Sequence, residues 1–83
     1  MYTVTLDLGF GKEVYKAKSE TIEEAIVKLN YPPSHLSGVM TFKEGKIKFE
    51  RKMYPRLLRK LSANKIFRQI VAKSAKTMIE SQK

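Results

Sequence analysis

Polar and apolar residues alternate strictly from Tyr2 to Leu8, with Tyr2, Val4, Leu6 and Leu8 on one side and Thr3, Thr5 and Asp7 on the other. A period of two is that of a half-buried strand. Gly9-Phe10-Gly11-Lys12 reads as a turn and Glu13 to Lys18 as the returning strand, because pairing Leu6 with Tyr15 and Val4 with Ala17 gathers the apolar residues on one face. The period then lengthens. Ile22, Ala25, Ile26 and Leu29 fall at i, i+3, i+4 and i+7, which predicts a helix over 21–30 that lays one apolar stripe across the sheet. Thr21-Ile22-Glu23-Glu24 fits a capping box at its start, the Thr21 hydroxyl accepting from the Glu24 amide and the Glu24 carboxylate from the Thr21 amide. Tyr31-Pro32-Pro33 stops it, since neither proline offers a helical amide.

A second hairpin is expected from Val39 to Arg51, turning on Glu44-Gly45, where glycine supplies a positive φ. Pairing Lys43 with Lys46 sets Phe42 opposite Ile47 and Met40 opposite Phe49, and leaves Thr41, Lys43, Lys46, Lys48 and Glu50 pointing away. Pro55 suits a first helical position, and Leu57, Leu58 and Leu61 share one side of the short helix that follows. Ser62 is the expected N-cap of a last helix running to about Glu80, with Ile66, Phe67, Ile70, Val71, Ala75, Met78 and Ile79 at helical spacing. These elements predict an α+β fold in one domain, residues 1–83. A β-hairpin, helix, β-hairpin core with a mainly antiparallel sheet fills 1–52, and basic C-terminal helices form an arm over 53–83.

At 83 residues the chain is near the lower limit for a self-sufficient core. With no cysteine, neither disulfides nor thiolate ligands can contribute, so stability rests on packing. No stretch approaches the eighteen or so apolar residues of a membrane span, and Met1-Tyr2-Thr3-Val4 lacks the basic and apolar regions of a secretory signal. No membrane span and a cytoplasmic location are therefore expected.

Charge changes the picture most. Residues 1–50 carry seven lysines against seven acids, whereas residues 51–83 carry ten cations against Glu80 alone. The whole formal charge of +9 thus lies in the last third. Arg51, Lys52, Arg56, Arg59, Lys60, Lys65, Arg68, Lys73 and Lys76 are the candidate anion-binding residues. On the last helix Arg68, Ala72 and Lys76 form one row and Lys65, Gln69 and Lys73 the next. Like charges at these spacings repel, so they do not serve the helix itself.

The catalytic inventory is poor: one histidine, one aspartate and no cysteine. His35 sits in a polar connector without a second imidazole or thiol at metal-ligand spacing. Glu23 and Glu24 are adjacent on a helix and point about 100° apart. No enzyme, cofactor or metal site is expected. Gly9-Phe10-Gly11-Lys12 joins two antiparallel strands and lacks the helix that a phosphate-cradling loop requires, although Phe10 at its tip is a candidate aromatic contact.

The run Tyr54-Pro55-Arg56-Leu57-Leu58-Arg59-Lys60-Leu61-Ser62-Ala63-Asn64-Lys65, following a Lys- and Gly-turned hairpin, resembles the C-terminal part of small accessory proteins of tailed bacteriophages. The resemblance covers the second half of the chain and transfers no active-site residue. It implies a virus-encoded protein acting in the host cytoplasm by binding host machinery or nucleic acid.

Nucleic-acid binding of low sequence specificity is the leading functional expectation. About five phosphate contacts on a duplex would give a salt slope near −4.5 and roughly a 500-fold loss over a fourfold rise in salt. A protein-interaction module is the alternative, engaging an acidic host or viral protein or pairing with itself as a homodimer. The discriminating feature is whether the apolar side of residues 66–79 is covered or exposed.

Overall fold

The computed structural model describes residues 1–9, 14–31 and 37–83. The expectations for Phe10, for the Pro32-Pro33 helix stop and for His35 fall outside the described residues. Seven elements follow in order: β1 (Tyr2–Asp7), β2 (Val14–Ser19), α1 (Ile22–Leu29), β3 (Gly38–Glu44), β4 (Ile47–Met53), α2 (Pro55–Ala63) and α3 (Lys65–Glu80). The fold is α+β, as the sequence predicts. Its four strands form one sheet in the order β2-β1-β3-β4, every neighbouring pair antiparallel. β2 and β3 both run opposite to β1 between them, so α1 connects two strands that are parallel and not adjacent.

The first hairpin has the expected register, Val4 opposite Ala17 and Leu6 opposite Tyr15. The second is shifted by two residues from expectation: Phe42 faces Phe49, Lys43 faces Lys48 and Glu44 faces Ile47, so the turn is Gly45-Lys46. A shift of two keeps every paired side chain on its predicted face, while Lys46 passes from the strand into the turn. The choice is made by the turn, where Gly45 has φ +60° at the first central position and Lys46 has no positive φ, the pattern of a II′ hairpin. Gly38 opens β3 where the backbone is crowded: a Cβ there would lie 2.9 Å from Leu6 Cδ1 and 3.0 Å from the Asp7 carbonyl.

Local sequence accounts for the helix ends. The Thr21 hydroxyl accepts from the Glu24 amide at 3.2 Å as expected. The Glu24 carboxylate, however, accepts from the hydroxyl of buried Ser19 at 2.8 Å, which ties α1 to the end of β2. Asn30 closes α1 in the left-handed region (φ 45°, ψ 45°), a conformation its short polar side chain tolerates. Pro55 begins α2. Ser62 does not cap α3 but lies within α2; Asn64 is the junction instead. Its amide donates to the Lys60 carbonyl to close α2, and its side chain accepts from the Phe67 amide at 3.0 Å to open α3.

All three helices share one core with one face of the sheet. Val4, Leu6, Met40 and Phe42 from the central strands, Ile22, Ala25, Ile26 and Leu29 from α1, Leu58 and Leu61 from α2, and Val71, Ala75 and Ile79 from α3 are buried together. α1 lies against β1 and β2, and α3 against β3 and β4. The far end of α3 is fastened to the second hairpin by an ion pair between Lys83 and Glu44 and by a hydrogen bond from Gln82 to the Lys48 carbonyl at 3.1 Å. Among the described residues no helix is long and apolar enough to cross a membrane.

Candidate nucleic-acid interface

The candidate cations fall into distinct groups. Arg56, Arg59 and Lys60 stand at i, i+3 and i+4 on α2, opposite buried Leu58 and Leu61, and all three are exposed. They form one outward cationic face. Lys60 leans toward α3, its ammonium 4.9 Å from the centre of the Phe67 ring, which leaves the charge outward while its stem covers an aromatic face.

On α3, Lys65, Lys73 and Lys76 are exposed and share a row with Gln69, and the Gln69–Lys76 part of that row faces the start of α1. A cleft of about 250 Å³ separates this flank from α1, lined by Tyr2, Glu20, Glu23, Gln69, Lys73 and Lys76. Lys73 and Lys76 therefore stand across from two carboxylates, with no ion pair formed between the two sides in the described residues.

Arg68 is not part of a cationic row. It is half buried, and one guanidinium nitrogen donates to the carbonyls of Leu61 at 3.1 Å and Ser62 at 3.0 Å. These are terminal carbonyls of α2 that lack a partner within their own helix, so Arg68 is a C-terminal cap. It also borders a second cleft of about 300 Å³ with Ile26, Asn30, Tyr31 and Ser62. Tyr31 lies on that border, its hydroxyl donating to the Leu58 carbonyl at 2.6 Å. Burial pushes the Tyr31 phenol up to about 12, against a smaller opposing pull from the Arg68 charge.

Arg51 and Lys52 part company because successive residues of a strand point to opposite faces. Arg51, opposite Met40, is on the helix side of β4 but exposed, since β4 is an edge strand. Lys52, opposite Val39, is on the other face, its ammonium 5.5 Å from the centre of the Tyr54 ring.

The apolar side of α3 is divided. Val71, Ala75 and Ile79 are buried, whereas Ile66 and Ile70 are 69% and 59% exposed. Going round the helix at 100° per residue, these two isoleucines lie between Phe67, where Lys60 sits, and the Lys65–Gln69–Lys76 flank. An uncovered apolar pair thus runs between two cationic groups.

A further set of cations is hidden, Lys52 apart, by the neutral sum of residues 1–50. The sheet face turned away from the helices carries Lys16, Lys18, Lys43, Lys48 and Lys52 against Asp7 and Glu50. Strand alternation signals the face of each lysine, and the strand order brings them together.

No family model matches the chain, and no curated protein or solved structure matches it either.

Proposed function

We propose that the chain is a small non-enzymatic nucleic-acid-binding domain that grips the phosphate backbone through its helical layer, with the outer face of α2 as the leading contact. The observation that carries this reading is the placement of cations where they oppose the helices that bear them. Arg56 lies in the first turn of α2 and Lys65 is the first residue of α3, and neither first turn has an acid. A helix N-terminus is the positive end of the backbone dipole, so cations there work against folding. Their gain is sought outside the chain, in an anionic ligand. Arg59 and Lys60 continue the same α2 face, and Lys52 with Tyr54 precedes it in the chain. Backbone contacts of this kind fix position without reading sequence.

The test is a salt titration of binding to short duplex and single-stranded DNA and RNA, followed by fluorescence anisotropy. Log affinity should fall linearly with log salt, and Arg56→Gln/Arg59→Gln/Lys60→Gln should flatten the duplex slope by about 2.7. Affinity that ignores salt, or a slope unmoved in the triple variant, rejects the reading.

One observation favours a second reading, an acidic protein partner. Exposed Ile66 and Ile70 between flanking cations are what an amphipathic acidic helix would cover. Light scattering on the purified chain reports self-association directly. Ile66→Ser/Ile70→Ser should leave nucleic-acid affinity unchanged if the first reading is right, and should abolish a dimer if the pair is a self-association face.

A further inference from the structure

The strand order assembles a basic surface that charge counts along the chain conceal. Residues 1–50 are neutral in sum, yet the fold sorts them. On the open sheet face the register lines up Lys18, Thr3, Lys43 and Lys48 in one row across all four strands, with Lys16, Thr5, Thr41 and Glu50 in the next. Glu20, Glu23 and Glu24 go instead to the start of α1, and Glu44 points to the helix side, where it pairs with Lys83. The row spans three inter-strand spacings, about 14 Å.

Edge-strand lysines also block unwanted pairing between sheets, and that role accounts for Lys16 and Lys18 on β2 and for Lys48 and Lys52 on β4. It does not account for Lys43, which is on β3, an interior strand, directly opposite Lys48. Like charges directly opposite destabilise a sheet. The sole ion pair formed on this face among the described residues is Lys48 with Glu50 at 3.2 Å, so Lys18 and Lys43 stay unneutralised. Thr3 between Lys18 and Lys43, with Thr5 and Thr41 in the next row, adds hydroxyl donors suited to phosphate oxygens, and no aromatic interrupts the row for a base to stack on.

We propose that the open face of the sheet is a second phosphate-contacting surface, engaging nucleic acid through the Lys18–Lys43–Lys48 row. This inference rests on the reading that the ligand is nucleic acid. Because the sheet face and the helical layer lie on opposite sides of one small domain, a molecule engaged on both bridges two nucleic-acid segments.

The experiment is a sandwich capture. One DNA duplex is immobilised on beads, and a second, fluorescent duplex is added with the protein at low salt. The wild-type chain should retain the fluorescent duplex. Lys18→Thr/Lys43→Thr/Lys48→Thr, substitutions that suit exposed strand positions, should lose the capture and flatten the salt slope by up to about 2.7. Lys28→Gln/Lys46→Gln, which removes one cation from α1 and one from the β3–β4 turn, neither in the lysine row nor on the outer face of α2, should capture like the wild type. Circular dichroism confirms that each variant is folded.

Capture retained by the sheet triple variant overturns the proposal, as does a wild-type chain that binds duplex with a normal salt slope but captures nothing. A wild-type chain with no affinity for nucleic acid in the anisotropy titration overturns the underlying reading as well. Light scattering that finds a dimer, together with capture lost in Ile66→Ser/Ile70→Ser but not in the sheet variant, assigns bridging to self-association and also overturns it.

Discussion

Phe42 and Phe49 stand directly opposite each other across the β3–β4 ladder, their rings stacked with centroids 6.1 Å apart and planes inclined by 21°. Phe42 is fully buried, while Phe49 on the edge strand is half-buried. Phe42→Ala should therefore cost about 3–5 kcal/mol, the range for emptying a core ring site. Phe49→Ala forfeits the aromatic pair, about 0.5–1.5 kcal/mol, plus the covered part of one ring, and should stay well below the first variant. Urea unfolding of the two variants decides it. Equal losses would mean that Phe49 is as deeply packed as its partner.

The same pair shows what the sequence could and could not reveal. Alternation from Val39 to Arg51 identifies the faces of both strands correctly, but a period of two is blind to a shift of two, so the pattern equally allows Phe42 opposite Ile47. Only the torsion at Gly45, a property of the turn and not of the pattern, separates the two registers. The inward position of Arg68 is legible in the sequence. It stands three residues before Val71, seven before Ala75 and eleven before Ile79, in phase with the buried stripe, and this phase outweighs its spacing of four and eight to Ala72 and Lys76. The split of α3 into a buried Val71–Ala75–Ile79 stripe and an exposed Ile66–Ile70 pair was not legible, because it depends on where α2 and the sheet leave room. The lysine row on the open face needed the strand order, which local pattern does not contain.

Arg68 and Arg59 offer a crossed test of the interface. Arg68 caps α2, so Arg68→Met, which keeps an apolar stem but no donors, should lower stability by about 1–2 kcal/mol. It should leave the salt slope of nucleic-acid binding as it is. Arg59→Met changes an exposed side chain and should shift stability by no more than about 0.5 kcal/mol. It should also reduce the slope by about 0.9. Thermal unfolding and anisotropy on both variants check the pair of statements, and a fall in slope with Arg68→Met would return that residue to the interface.

Lys83 and Glu44 clasp the C-terminus to the second hairpin. The Lys83 ammonium paired with it holds the Glu44 carboxyl below its ordinary 4.5, in spite of some desolvation. Glu44 in turn raises Lys83 above its ordinary 10.5. A lowered carboxylate stabilises the fold above its unfolded value, and this contribution is lost as pH falls through the lower folded value. The raised ammonium contributes below 10.5, and that contribution is lost as pH rises through its folded value. The difference in Tm between the wild type and Glu44→Gln should be level between these limits and shrink as pH drops below 4.5. A difference that persists unchanged into strong acid would show that the clasp makes no contribution.

Tyr31 is the corresponding alkaline marker. Its phenol is pushed up to about 12 because burial between the ends of α1 and α2 penalises the phenolate, while its hydroxyl donates to the Leu58 carbonyl. A phenol whose folded value exceeds its unfolded value of 10.0 contributes stability that is fully present below 10.0 and is lost as pH rises through about 12. Tyr31→Phe removes both the ionisation and the hydrogen bond. Its stability deficit relative to the wild type should be constant up to pH 10 and close as the pH approaches 12. The phenolate absorbance difference between the two proteins should appear late, in that same interval. An early rise, near 10, would mean that Tyr31 is solvated and that the junction between α1 and α2 is open.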